Sequence, residues 1–113
     1  MPCIKNARIT GTRFGFDNGI LTCWLYLDLG GGGIGFGGYA LDDYDPEVKE
    51  RIPSGKGLLF MSRIMKVLEV EKWEDLEGKY CRVEITEEFG RCTGRLFNIL
   101  TDECVDVSML KEE

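Results

Sequence analysis

The tripeptide Asp17-Asn18-Gly19 sits between two runs of alternating apolar residues, and this arrangement constrains the chain more than any other feature. Asn-Gly accepts the positive φ values of a type I′ turn, whose twist matches that of two paired antiparallel strands. Ile4 to Phe16 is therefore expected as a first strand and Ile20 to Leu29 as its partner. In the second run Leu21, Cys23, Leu25, Leu27 and Leu29 share one face, while Ile20, Thr22, Trp24, Tyr26 and Asp28 share the other. Both faces are apolar enough to need cover, one from a helix and one from a partner.

Gly30 to Gly32 then offer a second reversal, with Gly33 to Leu41 returning as a third strand. In such a strand Gly33, Gly35 and Gly37 fall on one side, and Ile34 and Phe36 on the other. A side free of side chains admits another backbone, a ring or a ligand, or else packs against bulky neighbours.

Asp45-Pro46-Glu47 reads as a helix start with Asp45 as N-cap, predicting one or two turns over Pro46 to Arg51 that Pro53 ends. Ser54 caps a longer helix from about Lys56 to Glu69, where Met61, Ile64, Met65 and Leu68 recur at helical spacing. Trp73 and Leu76 are expected to drop from a short turn into the core, with Gly78 as its exit. Lys79 to Glu87 and Arg91 to Leu100 form a C-terminal hairpin around Glu88-Phe89-Gly90, and Cys104 to Val107 adds an edge strand. The expected fold is one α+β domain over 1–113. It comprises an antiparallel sheet of about five to six strands (β-hairpin, Gly-rich third strand, C-terminal hairpin) packed against one main helix.

Composition narrows the chemistry. The chain has no histidine, so Ser-His-Asp and Cys-His mechanisms are unavailable to it. Its five cysteines, Cys3, Cys23, Cys81, Cys92 and Cys104, are odd in number and form no C-x-x-C pair, which suits free thiols in a reducing cytoplasm. Apolar runs such as Leu58-Leu59-Phe60-Met61 are far too short to span a bilayer, and the first residues lack a secretory signal.

Charge is unevenly placed. Residues 1–40 carry Lys5, Arg8 and Arg13 against Asp17 and Asp28, so the net charge of −6 belongs to the remainder of the chain. Nonspecific nucleic-acid binding needs a basic face, so no direct nucleic-acid partner is expected. An acidic surface comprising Asp42, Asp43, Asp45, Glu47, Glu71, Glu74 and Asp75 suits a basic protein partner instead. Trp24 and Tyr26, combined with Arg8, Arg13 and the bare glycine strand, would supply a further candidate binding surface, or else lie under the helix.

The motifs for bound cofactors fail on context. Gly33 to Gly38 spells G-x-G-x-x-G, but the helix that a dinucleotide site requires does not follow. Ser54-Gly55-Lys56-Gly57 echoes a phosphate loop without its first glycine or its Ser/Thr, leaving a helix start with a lysine beside it. The carboxylates around Asp45 lack the spacing of an EF-hand. No cofactor and no metal is expected, and no catalytic residue is assigned.

Three stretches together resemble small proteins encoded by bacteriophages and prophages: Gly19 to Asp28, Gly35 to Asp42, and Trp73 to Tyr80. The resemblance implies a phage or prophage origin and supplies no catalytic residue. In style the chain also resembles anti-CRISPR inhibitors, which share no common motif. These considerations lead to the expectation of a non-enzymatic inhibitor of a bacterial defence complex, acting in the host cytoplasm through its acidic surface. An alternative is a sponge for a nucleotide signal held by Arg8, Gly33, Gly35, Gly37, Tyr39 and Lys56. Another is a phage accessory protein working as a homo-oligomer.

Overall fold

The structure, a computed structural model, describes residues 2–86 and 92–111. Along the described residues the elements are β1 (Pro2–Asp17), β2 (Ile20–Asp28), β3 (Gly33–Gly37), β4 (Asp42–Asp45), β5 (Glu50–Pro53), α1 (Gly55–Val67), β6 (Tyr80–Thr86), β7 (Cys92–Asn98) and β8 (Cys104–Asp106). Short 3-10 turns cover Trp73–Leu76 and Val107–Lys111. The expected hairpin forms, with Asn18 at φ 51° and Gly19 at φ 82°.

The main sheet is antiparallel, six-stranded and ordered β3-β2-β1-β6-β7-β8. Strand β1 is shared: residues from Pro2 to Arg8 pair with β6, and those from Arg8 to Asp17 pair with β2. Its register shifts between Ile9 and Gly11, leaving Thr10 as an extra residue. Such a bulge bends a strand and raises its twist. The sheet curls accordingly, until the Cys92 thiol of β7 reaches the Gly35 carbonyl of β3 at 3.4 Å. The result is a partly closed barrel, with α1 packed on its inner side.

The bulge also exchanges the faces. Ala7 and Ile9 point inward before it; beyond it Phe14 and Phe16 stand opposite Cys23 and Leu21, on the inner side.

Ser54 caps α1 as expected, its hydroxyl accepting from Gly57 N at 2.9 Å. The buried helix stripe is Gly57, Phe60, Ile64 and Val67, while Met61 and Met65 flank it. Phe60 turns inward because Phe36 and Tyr39 receive its ring, at centroid distances of 6.2 and 6.1 Å. At the other end Asn98 donates to the Val67 carbonyl at 2.7 Å, supplying a partner for a terminal helix acceptor.

Two expectations need correction. Pro46 to Arg51 is no helix: β4 and β5 pair as a second, two-stranded sheet, with Asp45 opposite Glu50. The Asp45 carboxylate accepts from Glu47 N at 2.9 Å, and Lys49 adopts φ 58°, so local turn bonding wins over a cap. Strand β3 stops at Gly37 instead of reaching Leu41, because Gly37 and Gly38 turn the backbone at φ 134° and 79°. The Glu88-Phe89-Gly90 turn lies outside the described residues. The α+β class, with one α-helix against a mostly antiparallel sheet, holds among the described residues.

Candidate functional site

The inner face of the β1–β2 hairpin extends past the helix. Because α1 packs toward β7 and β8, Phe14 and Phe16 lie on the core side of their strand yet are 54% and 65% exposed. Leu58, on the flank of α1, is 72% exposed. Between hairpin and helix lies a cavity of about 470 Å³ lined by Phe14, Leu21, Leu41, Pro53, Leu58 and Met61 among others. That volume falls within the range of ligand and side-chain pockets, and its walls are apolar.

The acidic ribbon β4–β5 is rooted at this groove through Leu41 and Pro53. Its carboxylates have separate fates. Asp42 is buried, accepting from Leu21 N at 3.0 Å and Arg51 Nε at 2.9 Å. Burial by itself would raise its carboxyl pKa; the Arg51 and Leu21 hydrogen bonds, with the Arg51 charge, outweigh that and hold it below the usual value. Asp42 is thus unavailable to a partner, which corrects its place in the acidic surface. Asp45 serves the turn and is half-buried, while Asp43 and Glu47 are exposed. Glu71, Glu74 and Asp75 are also exposed, but they lie around the 3-10 turn at Trp73 that packs on β1.

The opposite face of the sheet carries Trp24 and Tyr26. The indole of Trp24 lies across the glycine strand: a Cβ at Gly35 would stand 2.9 Å from its Cζ3, and one at Gly38 would meet the same ring. Its Nε1 donates to Asp17 at 3.3 Å, and Asp17 pairs with Arg13 at 2.8 Å. The bare glycine face is therefore filled by the protein's own tryptophan.

The six residues of the alternative ligand set do not converge. Gly33, Gly35 and Gly37 lie on β3. Tyr39 is half-buried and meets Phe36 and Phe60 edge-on, and burial raises its hydroxyl pKa. Lys56 sits at the start of α1, and Arg8 stands opposite Tyr80 and Asp28 on β1.

All five cysteines are free. Burial pushes the Cys23 and Cys81 thiols up to about 12 and Cys92 to about 11. Such groups carry little thiolate near neutrality and behave as small apolar side chains. Among the described residues no three Cys, Asp or Glu side chains converge as a metal site would require. No described helix is long and apolar enough to cross a membrane.

Phe14, Phe16 and Leu58 escaped the sequence reading. Their signal was present as apolar residues at exposed registers, but the Thr10 bulge that sets the register of the two phenylalanines has no local signature. Comparison with protein-family models, curated proteins and solved structures finds no match for this chain.

Proposed function

We propose that this chain is a non-catalytic binding protein that grips a partner protein through the apolar groove between the β1–β2 hairpin and α1. The observation that carries the reading is the exposure of Phe14 and Leu58 at a preformed cavity, with exposed Phe16 on the same strand face as Phe14. Apolar surface of this kind, with polar residues at its rim, marks interaction sites on soluble proteins. The exposed Asp43 and Glu47 on the ribbon rooted at the groove favour a partner that joins an apolar knob to basic neighbours. The missing histidine and the protonated buried thiols favour binding over catalysis.

The target class is a bacterial defence complex whose basic surface would otherwise hold nucleic acid. The test is affinity capture from bacteria expressing the tagged protein, paired with phage plating. Wild type should recover a defence component and raise plating efficiency, and Leu58→Asp with Phe14→Ser should lose both while keeping its circular-dichroism spectrum. Recovery of none by wild type, with plating unchanged, would overturn the defence target.

A further inference from the structure

Strand β1 is paired on one edge at a time. Pro2 to Arg8 lie against β6, and Arg8 to Asp17 lie against β2. The chain before β6 leaves the sheet at Gly78, whose N–H donates to the Ile9 carbonyl at 2.7 Å and ends that side of the ladder. Among the described residues no strand pairs with the far edge of Gly11 to Asp17.

The direction of the backbone groups on that edge follows from β2. The Leu21 and Cys23 carbonyls accept from Leu41 N at 2.8 Å and Gly38 N at 2.9 Å, on the side of β2 away from β1. Residues directly opposite in an antiparallel pair turn their groups either both toward each other or both away. Phe14 stands opposite Cys23 and Phe16 opposite Leu21, so their N–H and C=O groups point out to the open edge. By alternation those of Thr12 do the same.

A row of outward groups is a template for another strand unless something blunts it. Pro2 and Lys5 lie along the other open stretch of β1, the Cys92 thiol meets β3, and β8 is only three residues long. Gly11 to Phe16 has neither proline nor lysine. The Arg13 guanidinium is drawn back along its own strand, onto the Phe16 carbonyl at 3.0 Å and Asp17 at 2.8 Å.

We infer that two copies of this chain join through this edge, their β1 strands antiparallel about a two-fold axis at Phe14. The open stretch itself selects that occupant. Phe14 is its midpoint, so Phe14 exchanges a pair of bonds with its own copy and Thr12 exchanges a pair with Phe16 on either side, leaving no outward group unused. On the inner face this brings together Phe14 and Phe16 of both copies, which are 54% and 65% exposed in the single chain. On the outer face Arg13 meets Gly15 of the other copy, which has no side chain, and Asp17 comes with it as its ion-pair partner. An axis at Arg13 would instead set like charges directly opposite, and one at Gly15 would run Thr12 into the turn at Asn18. Charge agrees: the stretch has one base and one acid, whereas the chain as a whole carries −6 and repels its copy elsewhere. Leu58 stands in the groove and outside this seam, so the two readings can fail separately.

The experiment is sedimentation velocity of the full chain over a concentration series, with circular dichroism to confirm folding of each variant. Wild type should reach twice the mass of the 12.8 kDa chain as concentration rises. Phe14→Lys and Phe14→Glu each oppose like charges at the axis and should weaken association by about a hundred-fold. An equimolar mixture of the two should restore the doubled mass, which neither misfolding nor the loss of a ring would permit. Thr12→Pro removes an outward N–H without touching the β2 ladder and should weaken association by about ten-fold. Leu58→Asp should leave it unchanged. Wild type that stays single at up to about 1 mM would overturn the inference. So would a dimer retained by Phe14→Lys, or a mixture that stays single. A dimer lost on Leu58→Asp yet kept by Phe14→Lys would place the contact between copies in the groove and overturn it equally.

Discussion

Asp42 and Asp43 are neighbours in sequence and opposites in role. Asp43 points to water, whereas Asp42 is 3% exposed and fastens the two-stranded ribbon to β2 through Arg51 and Leu21 N. Asp42→Asn should destabilise the fold by about 2–3 kcal/mol at neutral pH, since Arg51 loses its ionic partner. The carboxyl pKa is lowered in the folded state, so its stabilisation is present above the ordinary carboxylate value and disappears as pH falls through the lowered one. Urea titrations of both proteins across the acid range should therefore converge at low pH. A constant gap would mean that the carboxylate charge is not what holds the ribbon.

Strand β3 shows how far an element can be recognised without its function being legible. Gly33, Gly35 and Gly37 were visible as a side that would permit close approach, but periodicity could not say what approaches. The answer is the ring of Trp24, which the β2–β3 register places opposite Gly37 and which reaches diagonally over Gly35 and Gly38. At Gly37 a Cβ would collide with the Cys23 carbonyl and the φ of 134° adds strain, so Gly37→Ala should cost about 3 kcal/mol. Gly31 has open space and lies in the preceding loop, so Gly31→Ala should leave stability unchanged or raise it by up to about 1 kcal/mol. Thermal unfolding of the pair measures both. The β4–β5 ribbon is the converse case, where Asp45-Pro46 carries a genuine helix-start pattern and the Asp45 turn bond, with the Asp42–Arg51 pair across the ribbon, selects a hairpin.

At the scale of the molecule, the buried thiols report on the barrel as a unit. Cys23 and Cys81 come from different strands, β2 and β6, and both are sealed in the same core. Burial favours their neutral forms, raising each from 9.0 to about 12. The associated stability is complete below pH 9 and declines as pH climbs toward 12. Native protein at pH 8 should thus show alkylation of half-buried Cys3 and Cys104 well before Cys23 and Cys81, read by peptide mass spectrometry. The latter two should then react together, at the rate of global opening. Early modification of either one alone would indicate that the sheet opens in parts.

The hairpin at Asn18-Gly19, the division of β2 into two faces, the Ser54 cap and the α+β class were all determined by the sequence alone. Each depends on interactions within a few residues, where backbone preference and period are decisive. Tertiary structure decided which apolar residues stay uncovered. Phe14 and Phe16 face inward only because Thr10 bulges, and they remain exposed only because α1 lies over the far side of the sheet. Burial is a property of where distant elements come to rest, and no local pattern carries that information.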